Sequence, residues 1–247
     1  MTDKPLSNRI ALVTGASRGI GAATALVLAK AGAHVVAVSR TSGGLEELDD
    51  QIKEAGGSAT LVPLDVTDTA GIGRLAAALE QRYGRLDVLI GNAAVVGDTS
   101  PLGHIEPKSW ERVMAVNVTA NWHLIRYLDP LLQKSDAGRA VFITSGAASS
   151  AKAYRGLYST SKAALDVLAR TYAAETVETK VRVNLFNPGP TRTRMRATFM
   201  PGEDPATLPK PAQVAEAILP LCEPGFTETG KLYDFPSRSL KTFQAPA

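Results

Sequence analysis

Arg9-Ile-Ala-Leu-Val-Thr-Gly-Ala-Ser-Arg-Gly-Ile-Gly21 decides how the rest of the chain is read. Five of the first six residues suit a buried strand. The glycines at Gly15, Gly19 and Gly21 then break it, and the Ala- and Leu-rich run Ile20 to Lys30 reads as a helix closed by Gly32. A strand that passes through a glycine-rich turn into a helix aims free backbone N–H groups and the positive end of a helix dipole at one point. That is a pyrophosphate site in outline. The G-x-x-x-G-x-G spacing differs from G-x-G-x-x-G, and it lacks the Gly-Lys-Ser/Thr ending of a phosphate-binding P-loop. Alone, the turn could merely connect a strand to a helix; its strand–loop–helix setting favours the nucleotide reading.

Outward from this loop the pattern repeats. Strands are expected at Arg9–Thr14, Val35–Val38, Thr60–Val66, Leu86–Ile90, Ala140–Thr144, Val181–Phe186 and Lys231–Phe235. Helices are expected at Leu45–Glu54, Asp68–Tyr83, Pro107–Leu132, Tyr158–Val177 and Gln213–Leu221. Strands apolar throughout, each followed by a helix, call for an α/β, Rossmann-like, doubly wound parallel sheet. No linker or internal repeat divides the chain, so 1–247 is read as a single domain. Its one irregular stretch, 190–211, contains Pro201, Pro205 and Pro209 and is read as a substrate loop.

Composition narrows the class. With 247 residues, 45% hydrophobic and 21% charged, the chain is an ordinary globular protein. A net charge of +3 is too mild to imply nucleic acid. The lone Cys222 excludes an internal disulfide and a thiol-rich zinc site. His34, His104 and His123 have no metal-ligand spacing, so no metal is expected. No run approaches a membrane span or a signal-peptide core, and a cytoplasmic protein is expected.

The chemistry concentrates in the second half. Tyr158-Ser-Thr-Ser-Lys162 puts a phenol and an ammonium one helical turn apart. An ammonium favours the phenolate and lowers a phenol's usual pKa of about 10. Ser145 falls at the end of a strand, where parallel α/β sheets bind their ligands. Arg40 ends the second strand, where an acid that holds a ribose 2′-OH is common, and Arg18 lies in the glycine loop. Two guanidiniums suit a 2′-phosphate, so NADP(H) is preferred over NAD(H).

Thr14–Gly21, Asn92-Ala-Ala94, Asn117, Ser145, Tyr158-x-x-x-Lys162 and Pro188-Gly189, in this order and at fitting intervals, resemble the short-chain dehydrogenase/reductase family over nearly the whole chain, in a bacterial branch with no settled substrate. The resemblance implies that Tyr158 is the acid in carbonyl reduction and the base in alcohol oxidation. It implies that Lys162 lowers the Tyr158 pKa and holds the nicotinamide ribose, that Ser145 polarises the carbonyl, and that Asn117 supports a water chain to Lys162. The cofactor would lie along Gly15, Ser17, Arg18, Gly19, Ile20, Gly21, Arg40, Asp65, Val66, Asn92, Ala93, Tyr158, Lys162, Pro188, Gly189, Thr191 and Thr193. Two departures stand out: Ala94 replaces a common glycine, and the C-terminus lacks the Asp-Gly-Gly ending tied to tetramer contacts.

The expected partner is a small carbonyl or alcohol substrate, not nucleic acid or membrane, in a homo-oligomer (dimer or tetramer). Two other readings remain: a non-catalytic NADP-binding redox sensor or scaffold, and an epimerase or dehydratase on the same fold. Arg192, Arg194 and Arg196 either greet an acidic substrate or form a solvated loop face.

Overall fold

The computed structural model describes residues 4–243. Residues 1–3 and 244–247, the ends of the expected 1–247 domain, lie outside the described residues. Among the described residues eight strands form one sheet in the order β3-β2-β1-β4-β5-β6-β7-β8. They are β1 (Ile10–Thr14), β2 (His34–Ser39), β3 (Ser58–Pro63), β4 (Val88–Gly91), β5 (Arg139–Ile143), β6 (Arg182–Asn187), β7 (Lys231–Asp234) and β8 (Ser239–Thr242). Pairing is parallel from β3 through β7, and β8 returns antiparallel to β7. The sheet is therefore mixed at one edge: a turn at 235–238 sends the chain straight back, and a strand joined so tightly must run antiparallel.

Strand order reverses between β1 and β4. Helices α1 (Gly19–Lys30), α2 (Gly43–Glu54) and α9 (Pro211–Cys222) cover one face. Helices α3 (Thr69–Tyr83), α5 (Ala120–Gln133) and α7 (Gly156–Glu175) cover the other. The strands alternate between the two cores: Ala11 and Val13 pack with Leu28 and Ile218, while Leu12 packs with Leu75 and Leu128. The wall of α4 (Pro107–Met114) runs through a π-helical turn, Ala115–Thr119, into α5. The chain continues helically through Pro130 to Gln133, one residue past the expected end at Leu132.

Two expectations change. The third strand stops at Pro63 rather than Val66, since proline offers no N–H to a ladder; the Leu64 N–H still reaches the Ser39 carbonyl at 2.9 Å, and Asp65 and Val66 then leave the sheet. The 190–211 stretch is not irregular throughout. It holds α8 (Arg194–Phe199), capped by the Thr193 hydroxyl on the Arg196 N–H, and a 3-10 turn, Pro205–Thr207. A short helix, α6 (Ala147–Ser150), follows Ser145. No helix among the described residues is long and apolar enough to cross a membrane.

Candidate active site

The glycine loop is closed largely by its own backbone. Gly15 has φ +66°, and a Cβ there would sit 2.9 Å from Asn92 Nδ2. A Cβ at Gly21 would lie 2.3 Å from the Gly15 carbonyl oxygen. Both glycines are needed for the turn to fold. Gly19, at φ +59°, instead presents its open side to Thr193, with 3.4 Å from a Cβ to the threonine methyl. The glycine loop and the 190–211 stretch therefore meet at Gly19 and Thr193, beside the N-terminus of α1. This is a cradle for a pyrophosphate in both shape and dipole. Ile20 packs its side chain against the core behind it.

The loop is tied to β4 by Thr14, which the sequence placed at the head of the glycine motif but gave no role of its own. Its hydroxyl accepts the Asn92 and Ala93 N–H groups at 2.9 and 3.0 Å and donates to the Ile90 carbonyl. Asn92 Nδ2 donates to the Thr14 carbonyl at 2.8 Å. The bonds cross the gap where strand order reverses.

At the end of β2 the Ser39 hydroxyl donates to Ser17 at 2.8 Å. Arg18 and Arg40 are both exposed on this side. Arg40 lies 3.8 Å from Asp65, so the basic and the acidic candidates share one edge of the cradle. Burial raises the Asp65 carboxyl's pKa, but the Thr67 N–H and hydroxyl, then Arg40 and Arg112, outweigh it and hold it below its ordinary value. Val66 is buried in the core.

Three residues at the end of β5 meet α7. The Ile143 carbonyl accepts Lys162 Nζ at 2.7 Å, the Ser145 hydroxyl stands beside the Tyr158 phenol, and the Thr144 hydroxyl donates to Asp166. Burial pushes the Tyr158 phenol up to about 12, against the pull of Ser145. Burial brings Lys162 down to about 8, opposed by the charge of Asp166. The Lys162 ammonium lies 5.9 Å from the centre of the Tyr158 ring. Asn117 sits in the π-helical turn and is fully buried. Its amide clasps both main-chain groups of Val95 at 2.9 Å and donates to the Ser161 hydroxyl at 2.9 Å. The wider turn is what lets that amide reach sideways.

Across the mouth, Gly189 takes φ +63° and Thr191 bonds the Pro188 and Gly189 carbonyls. Asn187, unmarked in the sequence, joins this turn to the site: its Oδ1 accepts the Gly146 and Gly189 N–H groups at 3.0 and 3.1 Å. Phe199 of α8 lies over Tyr158, ring centres 6.3 Å apart, and Arg155 stacks on Phe199 at 4.4 Å. Two of the three loop arginines have internal partners: Arg196 pairs with Glu203, and Arg192 Nε donates to the Pro205 carbonyl at 2.6 Å. Among the described residues only Arg196 has its charge neutralised by an acid; Arg192 and Arg194 keep theirs uncompensated. Among the described residues no three His, Cys, Asp or Glu side chains gather to hold a metal.

Comparison with known proteins agrees with this geometry. Residues 9–204 match the family described as short chain dehydrogenase. The chain is 37% identical to the uncharacterized oxidoreductase YciK of Escherichia coli K12 over 233 residues, which cover 93% of this chain and 92% of the relative. A crystal structure of a short chain dehydrogenase from Salmonella enterica serovar Typhi superposes with a TM-score of 0.91 at 37% identity, covering 95% of this chain and 98% of that one. A Shigella flexneri 2a structure complexed with NADP gives a TM-score of 0.87 at 36% identity, with coverage of 95% and 100%.

Proposed function

The chain belongs to the short chain dehydrogenase family and is an NAD(P)-dependent oxidoreductase acting on CH–OH and C=O groups, and from that premise we propose that it works with NADP(H) on a small carbonyl or secondary alcohol through Ser145, Tyr158 and Lys162. The observation that carries this reading is the convergence of all three side chains on the end of β5, on the same edge of the sheet as the glycine cradle.

When bound, the nicotinamide supplies or takes up the hydride. The chain does the rest. The Ser145 hydroxyl donates to the carbonyl oxygen and polarises it. Tyr158, a phenol at neutral pH, gives its proton to that oxygen as charge builds there. The Lys162 ammonium steadies the phenolate left behind. In the oxidative direction the phenol must come down from the value of about 12 that burial gives it before it can act as a base, and in this structure the Lys162 ammonium, 5.9 Å from the ring centre, does not bring it down. Asn117 fixes the wall that carries Val95 and Ser161 beside this pair. Phe199 and the rest of the 190–211 loop cover Tyr158 and serve as the substrate lid within a single domain.

The residues fit the cofactor. Gly15, Gly19 and Gly21 with Ile20 and Ser17 would hold the pyrophosphate side. Asp65 and Val66 would lie by adenine, Asn92 and Ala93 along the middle, and Pro188, Gly189, Thr191 and Thr193 by the carboxamide. Arg18 and Arg40 would take the 2′-phosphate, with Arg40 leaving Asp65 to do so. The NADP complex of the Shigella relative supports this choice. Cytoplasmic residence and assembly into dimers or tetramers belong to the same reading; Trp110 and Trp122, 39% and 44% exposed on the α4–α5 wall, support a contact between copies.

The test is a panel of ketones and aldehydes with NADPH and NADH. NADPH should be consumed with at least one carbonyl, and Arg40→Ala should weaken NADPH roughly 10-fold or more while NADH changes little. Equal efficiency with NADH in the unaltered protein would overturn the cofactor choice. Tight NADP binding with no turnover across the panel would favour the sensor instead, and turnover without net NADPH loss an epimerase or dehydratase.

A further inference from the structure

Tyr158, Lys162 and Asp166 follow one another at intervals of one turn on α7 and share a face. Opposite them, three consecutive residues at the end of β5 each face one of the three: the Ser145 hydroxyl stands beside Tyr158, the Ile143 carbonyl accepts from Lys162, and the Thr144 hydroxyl donates to Asp166. Thr144 is only 2% exposed and is anchored by its own N–H on the Phe186 carbonyl of β6 at 2.9 Å. The first two pairs belong to the site described above. The third has had no role.

We propose that Asp166 is a positioning residue for proton transfer: its carboxylate, fixed by Thr144, keeps the neighbouring Lys162 in its ammonium form and holds the Ile143–Ser145 turn to α7. The inference rests on the roles of Tyr158 and Lys162 given above and adds to them. Lys162 is buried, its hydrogen-bond partner is an uncharged carbonyl, and it forms no ion pair within 4 Å among the described residues. An ammonium in that setting tends to lose its proton, and a neutral amine cannot steady a phenolate. The acid whose charge opposes that loss is Asp166. The charged groups that bear on Asp166 are Lys162 and Arg170, both on α7, and from β5 it meets only the Thr144 hydroxyl. Arg170 lies over the Phe243 ring at 4.4 Å.

The sign follows. Tyr158 and Lys162 titrate as a coupled pair, and the first proton leaves a pair of net charge +1. A nearby anion holds that proton, whichever group carries it. Removing the anion lets it go at lower pH.

The experiment is a pH titration of the lysine ε-carbon signals in the whole chain labelled with 13C-lysine, with Lys162 assigned by its loss in Lys162→Arg. In Asp166→Asn the Lys162 midpoint should fall by about 0.5–1 pH unit, and Asp166→Glu should recover most of that fall. The rising limb of alcohol oxidation against pH should move the same way. An unmoved Lys162 midpoint in Asp166→Asn overturns the proposal. So does an equal shift in Asp166→Asn and Asp166→Glu, which would assign the effect to packing rather than charge. The NMR midpoint needs no turnover: a shift there with no carbonyl reduced leaves the role of Asp166 standing and removes the oxidoreductase reading of the pair.

Discussion

The corner where β7 turns into β8 and the junction where β5 meets α7 each take a carboxylate out of water, and they treat it in opposite ways. At the corner Asp234 accepts Asn187 Nδ2 at 2.7 Å, Lys241 Nζ at 2.7 Å and the Ser237 hydroxyl. Burial alone would raise its pKa; the three donors reverse that and bring it down to about 2. At the junction Asp166 has one donor, the Thr144 hydroxyl, with Lys162 and Arg170 acting through space. There burial wins, and the pKa rises to about 6. The corner spends its polar groups on holding the fold. The junction leaves charges partly uncompensated, which costs stability but keeps Tyr158, Lys162 and Asp166 responsive to one another.

The largest expected effect separates the two regions by rate. Tyr158→Phe should lower turnover roughly 10²–10⁴-fold, because it removes the proton donor and leaves the ring. Its melting temperature should hold or rise, since a phenol taken from water is exchanged for a ring with no polar group to bury. NADPH binding, followed by fluorescence, should change little. A fall in melting temperature as large as that of a corner variant would mean the junction is structural too.

Next comes the corner itself. The Asp234 carboxylate has a folded pKa of about 2 against an ordinary 3.8, so it stabilises the fold above pH ~4 and loses that effect as pH falls through 2. Asp234→Asn should therefore cost about 1–2.5 kcal/mol in urea unfolding at pH 7, with the difference from the unaltered chain shrinking toward pH 2. A cost that stays constant with pH would show that charge is not what the three donors hold.

How much of each region was legible in the sequence follows from range. The glycine loop, the Tyr158–Lys162 turn and the strand–helix alternation are local patterns, and the doubly wound parallel sheet followed from them, while the strand order and its reversal between β1 and β4 came only with the structure. Thr14, Asn187 and Asp166 were given no role of their own, because each matters through a partner far along the chain: Thr14 through Ala93, Asn187 through Gly146 and Asp234, Asp166 through Thr144. A threonine that ends a strand or an aspartate inside a helix has nothing local to show its partner. The last strand, Ser239–Thr242, was missed for a related reason: Ser-Leu-Lys-Thr has no apolar alternation to bury, and it is a strand because β7 offers it an edge. The arginines of 190–211 read either as a site for an acidic substrate or as a solvated loop face, and nothing local in the sequence foretold that Glu203 pairs with Arg196.

The smallest expected effect tests the comparison most directly, because its sign is reversed. Asp166 has a folded pKa near 6, above its ordinary 3.8. Such a group favours the fold fully only below pH ~4, where the carboxyl is protonated in both states, and that advantage is lost as pH rises through 6. At neutral pH the ionised carboxylate is a burden to the fold. Asp166→Asn keeps an oxygen to accept the Thr144 hydroxyl and removes the charge. It should stabilise the protein by about 1–2 kcal/mol at pH 7.5, and the gain should vanish near pH 4. The measurement is the urea midpoint of Asp166→Asn and of Asp234→Asn across the same pH series. The two differences should run with opposite sign at neutral pH and converge on zero at the acid end. If Asp166→Asn is destabilising at pH 7.5 by as much as Asp234→Asn, the junction is held by its carboxylate just as the corner is. A variant that is more stable at neutral pH, yet whose Lys162 gives up its proton sooner, is the pairing that a carboxylate kept for function and not for the fold requires.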